Sequence, residues 1–314
     1  MISEITPIAE HLYALKTYFS PNETDGPYVV SYLALGRVAV LFDSGLRSTA
    51  ADVLALLERL GRPASDLRLI INSHAHFDHI GANGLLKEAT GCLIVAEPSG
   101  VGWIEDHRRQ YREFYEAFPD AWTPTAEETR LFFEWLGPET SVEVQPNGAF
   151  ALALGEGVVL DVFPTPGHIS SCVSALDRGT GAMITGDSFQ AQGFFGNLPQ
   201  YDSVSSYQSS LFTYGEHVPG RMYTAHTPPL DHEDAASAVR SSAQMVEEIG
   251  ESVLRTLRRR GQPTHLRDVG ASICDRFQRT YNIQALCTVD AHLRDLAARD
   301  LIRRVDSGTN VWLA

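Results

Sequence analysis

Four apolar runs in this chain each end at a residue type that ligates metals. "RLIINS" leads into His74, with His76, Asp78 and His79 close behind in "HAHFDHIGANG"; "VFPTPG" leads into His168, "AMITG" into Asp187 and "RMYTA" into His226. Short apolar runs bounded by turn residues read as buried strands. If those strands are neighbours in sheets, their ends bring seven ligand-type side chains to one rim. The chain must therefore fold so that several strands open toward a common edge.

The remaining pattern supplies the cover such sheets need. "YVVSYLAL" and "VAVLFD" flank Gly36-Arg37, which suits a two-residue hairpin turn, and the second run ends at Asp43. "TAADVLALLERLG" and "GLLKEATG" read as helices and "CLIVAE" as a strand, and strands alternating with helices make an α/β-type core with helices on the sheet faces. From Ser99 to Pro138 the texture changes. Trp103, His107, Tyr111, Phe114, Tyr115 and Phe118 recur every three or four residues, which predicts one helix with an aromatic stripe. A second helix is announced by the capping box Thr125/Glu128 and closed by Gly137-Pro138. Past Gly148 strands return in "AFALAL", "VVLDVFPT" and "CVSALD", and a long helix is expected from Ala235 to Arg260.

At 314 residues the length suits about two domains. The net charge of −14 is unevenly spread: residues 251–314 hold 11 Arg against 7 acidic residues, so +4 there and −18 elsewhere. That asymmetry, with the element order, divides the chain into residues 1–235, carrying an aromatic helical insert at about 99–138, and residues 236–314. In the latter, one helix ends near Gly261, a second runs from about Thr264 to Arg279, a third spans "IQALCTVDAHLRDLAARD", and two short strands follow around Ser307-Gly308. The acidic balance argues against a surface that grips nucleic acid or anionic membrane. No run approaches the ~18 apolar residues of a membrane span, and no leader pattern opens the sequence, so a cytoplasmic protein is expected. Cys92, Cys172, Cys274 and Cys287 lie far apart and read as free thiols.

The histidine spacing has a chemical meaning. His74 and His76 project to one side, while Asp78 and His79 at the next helix entrance reach a second point nearby. One motif can thus serve two ions. Two-metal hydrolytic sites place their ions ~3.5–4 Å apart, and imidazole with carboxylate suits zinc, manganese or iron. Asp187 would hold the pair together.

In its HxHxDH element and the order of the downstream His, Asp and His, the sequence resembles the metallo-β-lactamase superfamily over roughly residues 5 to 235. The resemblance implies an α+β fold, a four-layer αββα sandwich with the metals at one edge of two sheets. It implies two divalent ions, zinc first among the candidates: His74, His76 and His168 on one, Asp78, His79 and His226 on the other, and Asp187 as the bridge. Asp43, in "LFDSG", would support the ligands without binding metal. Asp187 with His79 resembles the glyoxalase II and lactonase branch, since β-lactamases of this fold commonly carry Cys or Ser in that place. The chain departs from frequent family patterns in "TPGHISSC" and "AHTPP". Residues 236–314 resemble the winged-helix domain attached to some proteins of this fold, with a recognition helix too acidic for DNA reading.

The expected activity is hydrolysis of a small carbonyl compound, a thioester, lactone or ester. A water between two divalent ions loses a proton near neutral pH and becomes the nucleophile. Asp78 could orient it or carry a proton to the leaving group, and Tyr201, in "NLPQYDSV", could donate to a developing oxyanion. The aromatic insert serves as packing, as a lid, or both. The partner is a small molecule, with no nucleic acid or membrane, and a homodimer stays open. Competing readings are a single-strand nuclease using the same site, a mononuclear iron persulfide dioxygenase, and a regulatory DNA-binding protein with a metal-sensing domain.

Overall fold

The computed structural model describes residues 4–20, 25–217, 220–305 and 309–314. Two six-stranded sheets face each other. The first runs β1 (Glu4–Ala9), β2 (Leu12–Tyr18), β3 (Tyr28–Leu35), β4 (Ala39–Phe42), β5 (Leu67–Ile71) and β6 (Leu93–Val95) in that order. The second holds β7 (Phe150–Gly155), β8 (Val158–Pro164), β9 (Val173–Asp177), β10 (Ala182–Gly186), β11 (Arg221–Thr224) and β12 (Leu230–Asp231) in reverse spatial order.

Strand alternation sorts the side chains into layers. Tyr32, Ala34, Val40 and Phe42 point inward to meet Leu160, Val162, Ala175 and Ile184 of the second sheet. Leu33 and Leu41 point outward and pack under α1 (Thr49–Arg59) and, past the short α2 (Phe77–Ile80), α3 (Asn83–Thr90), whose Val53, Leu56, Leu57 and Leu86 are buried. Met183 and Met222 face the other way, under α7 (Val204–Glu216) and the first half of α8 (His232–Arg260). The order helix, sheet, sheet, helix is the four-layer α+β sandwich expected.

The insert differs from expectation in one respect. Its aromatic stripe lies on two helices, α4 (Val101–Ile104) and α5 (His107–Tyr115), rather than one. The break is set by Asp106, whose carboxylate accepts from Arg109 N at 2.7 Å and so caps a new helix. The capping box of α6 (Ala126–Trp135) forms as read, between Thr125 and Glu128.

The final segment comprises α8, α9 (Leu266–Phe277), α10 (Ile283–Ala298) and a small sheet ordered β13 (Thr264–His265), β15 (Val311–Leu313), β14 (Arg303–Arg304). The expected helix start at Thr264 is instead a strand, because Thr264 and His265 pair with Trp312 and Val311. The expected turn at Ser307-Gly308 lies outside the described residues. The boundary expected at 235/236 falls within α8. Ala235 and Val239 pack with the second sheet, whereas Ile249, Val253 and Leu257 pack with α9 and α10.

His292 of α10 is buried where these parts meet, and its Nε2 lies 2.7 Å from the Tyr201 hydroxyl. Burial pushes its imidazole down to about 3. An unfolded histidine titrates near 6.5, so the unfolded chain binds the extra proton first and stability is lost as pH falls from about 6.5 toward 3. The expected loss from this residue between pH 7.5 and pH 5 is about 2 kcal/mol. Urea unfolding of chelator-treated protein at the two pH values checks it, and His292→Gln should remove that share of the acid sensitivity.

"IGANG" is where the insert is tied to the first sheet. A Cβ at Gly81 would sit 2.6 Å from Trp135 O and 2.8 Å from Gly45 O. Gly81 N–H donates to Gly45 O at 2.8 Å, and Gly137 N–H to Gly81 O at 2.7 Å. Gly81→Ala meets backbone on both sides and is expected to destabilise by about 1–3 kcal/mol, read as a lower urea midpoint with an unchanged slope.

Candidate metal centre

Parallel pairing explains why the ligand-type residues converge. β4 pairs with β5, and β10 with β11, in parallel, so the carboxyl ends of all four strands open at one rim. The sheets are joined there by backbone bonds: Val173 N–H donates to Ser73 O at 2.7 Å and Val30 N–H to Ala225 O at 2.9 Å. β4 delivers Asp43, β5 delivers Ser73 and His74, β10 delivers Asp187 and β11 delivers His226. Gly186 has φ +51, and a Cβ there would lie 2.4 Å from Ser73 Oγ. Only glycine lets the end of β10 come that close and turn Asp187 into the rim.

His74, His76 and His168 form one group and Asp78, His79 and His226 a second, with Asp187 also grouped with His74 and His79. All seven are 7% exposed or less. His76 Nδ1 lies 3.0 Å from His74 Nε2 and 2.9 Å from His168 Nε2. Asp187 Oδ1 is 3.3 Å from His226 Nε2 and 3.7 Å from His79 Nε2, while its Oδ2 is 3.7 Å from His168 Nε2. Asp78 Oδ2 lies 3.3 Å from His226 Nε2.

The outer nitrogens fix which ring atom faces inward. His226 Nδ1–H donates to Tyr28 O at 2.6 Å, since a carbonyl oxygen only accepts, and His168 Nδ1 is engaged on the outer side by Gln200 O at 2.9 Å and Gln190 Nε2 at 2.8 Å. Ser73 Oγ gives its proton to Asp43 Oδ2 at 2.7 Å, so it accepts from His74 Nδ1 at 3.0 Å. His79 Nδ1–H donates to the same Asp43 oxygen at 2.8 Å. Asp43 also accepts from Ser73 N at 2.6 Å and adopts φ 62, a conformation aspartate tolerates. Four Nε2 atoms therefore face the rim, and His79 Nε2 is buried with no hydrogen-bond partner. So many imidazoles and carboxylates crowded out of water are costly without compensation, and a divalent cation would satisfy them.

The charge balance agrees. Burial, with the neighbouring imidazoles, holds His74 well below the usual imidazole range; burial likewise lowers His76 and His168, leaving their lone pairs free. Burial opposes charge on His79 and His226 as well. Around His79 the carboxylates of Asp43, Asp78 and Asp187 outweigh it and lift the imidazole to about 9. Asp187 and Asp78 do the same for His226. Burial likewise works against ionised Asp78 and Asp187, yet the facing imidazoles hold both below the usual carboxylate range. Among the described residues the ion pairs of these carboxylates are all with histidines, a buried negative set suited to a metal.

Of the residues singled out from the sequence, Asp43, His74, His76, Asp78, His79, His168, Asp187 and His226 come together. Tyr201 does not join them, which corrects the expectation of a phenol at the pocket edge. It is fully buried, its hydroxyl is held by His292, and its ring stacks on Tyr207 with centroids 4.7 Å apart. Cys172 is fully buried and belongs to none of the ligand groups, and burial pushes its thiol up. Several supporting residues were not read from the sequence. Gln110 of α5 donates to Ala75 O and so holds the histidine loop from the insert. Gln190 Oε1 accepts from Gln200 N at 2.7 Å, steadying the carbonyl that orients His168.

A cleft of about 400 Å³ opens above the site. His76, Asp78, Asp187 and His226 reach it, with Phe19, Phe77, Phe114, Tyr115, Trp135, Phe194 and Phe195 as walls and Asn197, Gln200 and Gln284 at its polar side. The insert thus both packs and covers: Phe77 stacks on Trp135 at 5.5 Å, while Phe114 lies 4.9 Å from the His76 ring. The Gly-flanked pair Phe194-Phe195, seven and eight residues past Asp187, was the sequence signal for the opposite wall.

Residues 24–248 match the model of a family described as the metallo-beta-lactamase superfamily. A probable metallo-hydrolase of Methanocaldococcus jannaschii is 30% identical over 163 residues, covering 52% of this chain and 68% of the relative. A hydroxyacylglutathione hydrolase of Rhodospirillum rubrum is 41% identical over 68 residues, 22% of this chain and 24% of that relative, so the match spans about a quarter of its length. Among solved structures, a metallo-beta-lactamase family protein from Thermus thermophilus superposes with TM-score 0.78 at 18% identity, covering 98% of this chain and 99% of that one. A beta-lactamase domain protein from Burkholderia ambifaria gives 0.73 at 14% identity over 99% and 94%. At those identities the likeness is one of fold.

Proposed function

The chain belongs to the metallo-beta-lactamase superfamily and is a metal-dependent hydrolase, and from that premise we propose that it holds two divalent ions and cleaves a small carbonyl substrate, a thioester, lactone or ester. The observation that carries the two-ion reading is Asp187, whose two oxygens face the two ligand groups separately. Two divalent ions at such a site supply an activated water with a pKa near about 7 and polarise the carbonyl oxygen. His74, His76 and His168 would hold one and Asp78, His79 and His226 the other, zinc being the ion this nitrogen-rich set suits first. Asp43 keeps His79 in the ligating tautomer, and Asp78 is placed to take or return a proton at the reacting centre. The local match to a hydroxyacylglutathione hydrolase supports a carbonyl substrate.

In this reading Tyr115, rather than the buried Tyr201, is the donor to the oxyanion. It lines the cleft at the end of α5, and burial, then the charge of Asp78, push its phenol up, so it stays a donor. Tyr115→Phe is expected to lower kcat by about ten- to a hundredfold with KM little changed, which steady-state kinetics on an ester substrate would check.

We read α8 to α10 with their three-stranded sheet as a winged-helix-like module that frames the cleft. Gln284 of α10 reaches the cleft, and the arginines Arg294 and Arg299 are paired with Asp290 and Asp295 on their own helix. The deciding experiment is a screen of p-nitrophenyl esters, acyl thioesters, lactones and labelled single-stranded RNA, with Asp187→Ala as control. Turnover of RNA alone would sink the carbonyl reading.

A further inference from the structure

The walls of the cleft carry information about what fits between them. On one side Phe114 and Tyr115 stand beside His76, with the Phe114 centroid 4.9 Å from that ring. On the other, Phe194 lies against His226 at 4.5 Å and 32°, with Phe195 edge-on at 5.9 Å. Two aromatic faces flank the reacting position, a slot for a flat apolar group. No lysine or arginine is among the described residues lining the cleft. An anionic group held against these walls, away from the metal ligands, would lose water and gain no cationic side chain.

The polar side is neutral and organised by one residue. Asn282, which caps α10, donates from Nδ2 to Asn197 Oδ1 at 2.9 Å and to Gln284 Oε1 at 3.1 Å. With both amide oxygens engaged, the polar atoms that these two cleft-lining residues leave free are their NH2 groups. They are donors without charge. The loop carrying Asn197 is held to the C-terminal unit, with Thr280 N–H donating to Gly196 O at 3.0 Å and Arg279 to Gln192 O at 3.1 Å.

Resting on the carbonyl-hydrolase reading, we infer that the substrate is uncharged: a carbonyl compound with an aromatic or similarly flat apolar group held between the Phe114 and Phe194 walls. A neutral acceptor elsewhere on it is read by the amides of Asn197 and Gln284. The C-terminal unit is then a specificity element, supplying Gln284 and, through Asn282, setting the orientation of Asn197. A substrate carrying a phosphate or carboxylate away from the reacting carbonyl is disfavoured by the same feature. A pocket of about 400 Å³ falls at the small end of the ~300–1,000 Å³ of small-molecule sites.

The test uses the metal-loaded full chain and three p-nitrophenyl esters of matched length: 3-phenylpropanoate, pentanoate and the glutarate monoester. The expected kcat/KM falls in that order, with the phenyl ester at least about tenfold above the carboxylate, a difference of about 1.4 kcal/mol. Gln284→Ala should raise KM at least fivefold more for a phenyl ester bearing a para-acetyl acceptor than for the plain one, about 1 kcal/mol. Binding is followed separately by quenching of Trp135 fluorescence, with Trp135→Phe as the blank, using the non-hydrolysable ketones 4-phenyl-2-butanone and 5-oxohexanoate. Preference for the glutarate ester and the keto acid would overturn the uncharged-substrate inference and leave the hydrolase reading standing. Equal effects of Gln284→Ala on both esters would overturn the role given to the amides. If no ester, thioester or lactone turns over while the neutral ketone still quenches Trp135 and the keto acid does not, the hydrolase reading falls and the selectivity of the cleft holds.

Discussion

Asp187→Ala is expected to lower kcat/KM by about a thousandfold or more with the fold retained. The side chain touches both ligand groups, Oδ1 toward His226 and His79 and Oδ2 toward His168. Its loss removes a charge from each, and metal-assisted stabilisation of a transition state is worth several kcal/mol, at about 1.4 kcal/mol for each tenfold in rate. Asp187 sits at the rim beyond β10 rather than within the core, so circular dichroism and the urea midpoint should change little. Asp187→Asn keeps the shape and removes the charge. It should fail nearly as badly, because an amide cannot supply both faces with anionic oxygen. Activity within about tenfold of the wild type would contradict the bridging role.

Asp43→Asn is expected to weaken metal affinity by about 10–100-fold without touching a ligand. Asparagine accepts the φ of 62 as aspartate does and can still receive Ser73 N–H. Where the carboxylate accepted from Ser73 Oγ and His79 Nδ1, the variant presents an NH2 donor. His79 must then accept at Nδ1, which moves its proton to Nε2, the atom aimed at the site. Asp43→Ala adds the loss of a buried, fully bonded charge and should destabilise the protein by about 3–5 kcal/mol as well. Competition with a graded series of chelators measures the first effect and urea unfolding the second. Unchanged affinity in Asp43→Asn would show that the tautomer of His79 is not set by this carboxylate.

The metal-site geometry was legible in the sequence because strand ends are legible. An apolar run that stops at His74 or Asp187 locates a side chain at a sheet edge, and the parallel pairing of β4 with β5 and β10 with β11 puts those edges together. The sandwich followed from the same alternation that sends Tyr32 and Phe42 inward and Leu33 and Leu41 outward. What escaped was decided by contacts between segments far apart in the chain. Tyr201 resembles the aromatic that borders the pocket in relatives, yet His292, 91 residues later, holds its hydroxyl in the interior. The broken aromatic helix turned on one capping aspartate, a local signal that the three- to four-residue spacing of the rings obscured. Gln110, Gln190 and Gln284 carry no sequence pattern at all. Their roles exist only once the insert and the C-terminal helices have folded against the rim.

The proposal of two ions is tested most directly by titrating metal-free protein with zinc while ester hydrolysis and bound metal per chain are followed together. The account predicts that activity reaches its plateau at two ions per chain, and that Asp187→Asn neither binds the second tightly nor gains activity. A plateau at one ion per chain, or a protein isolated with a single iron and inactive with zinc, would contradict it.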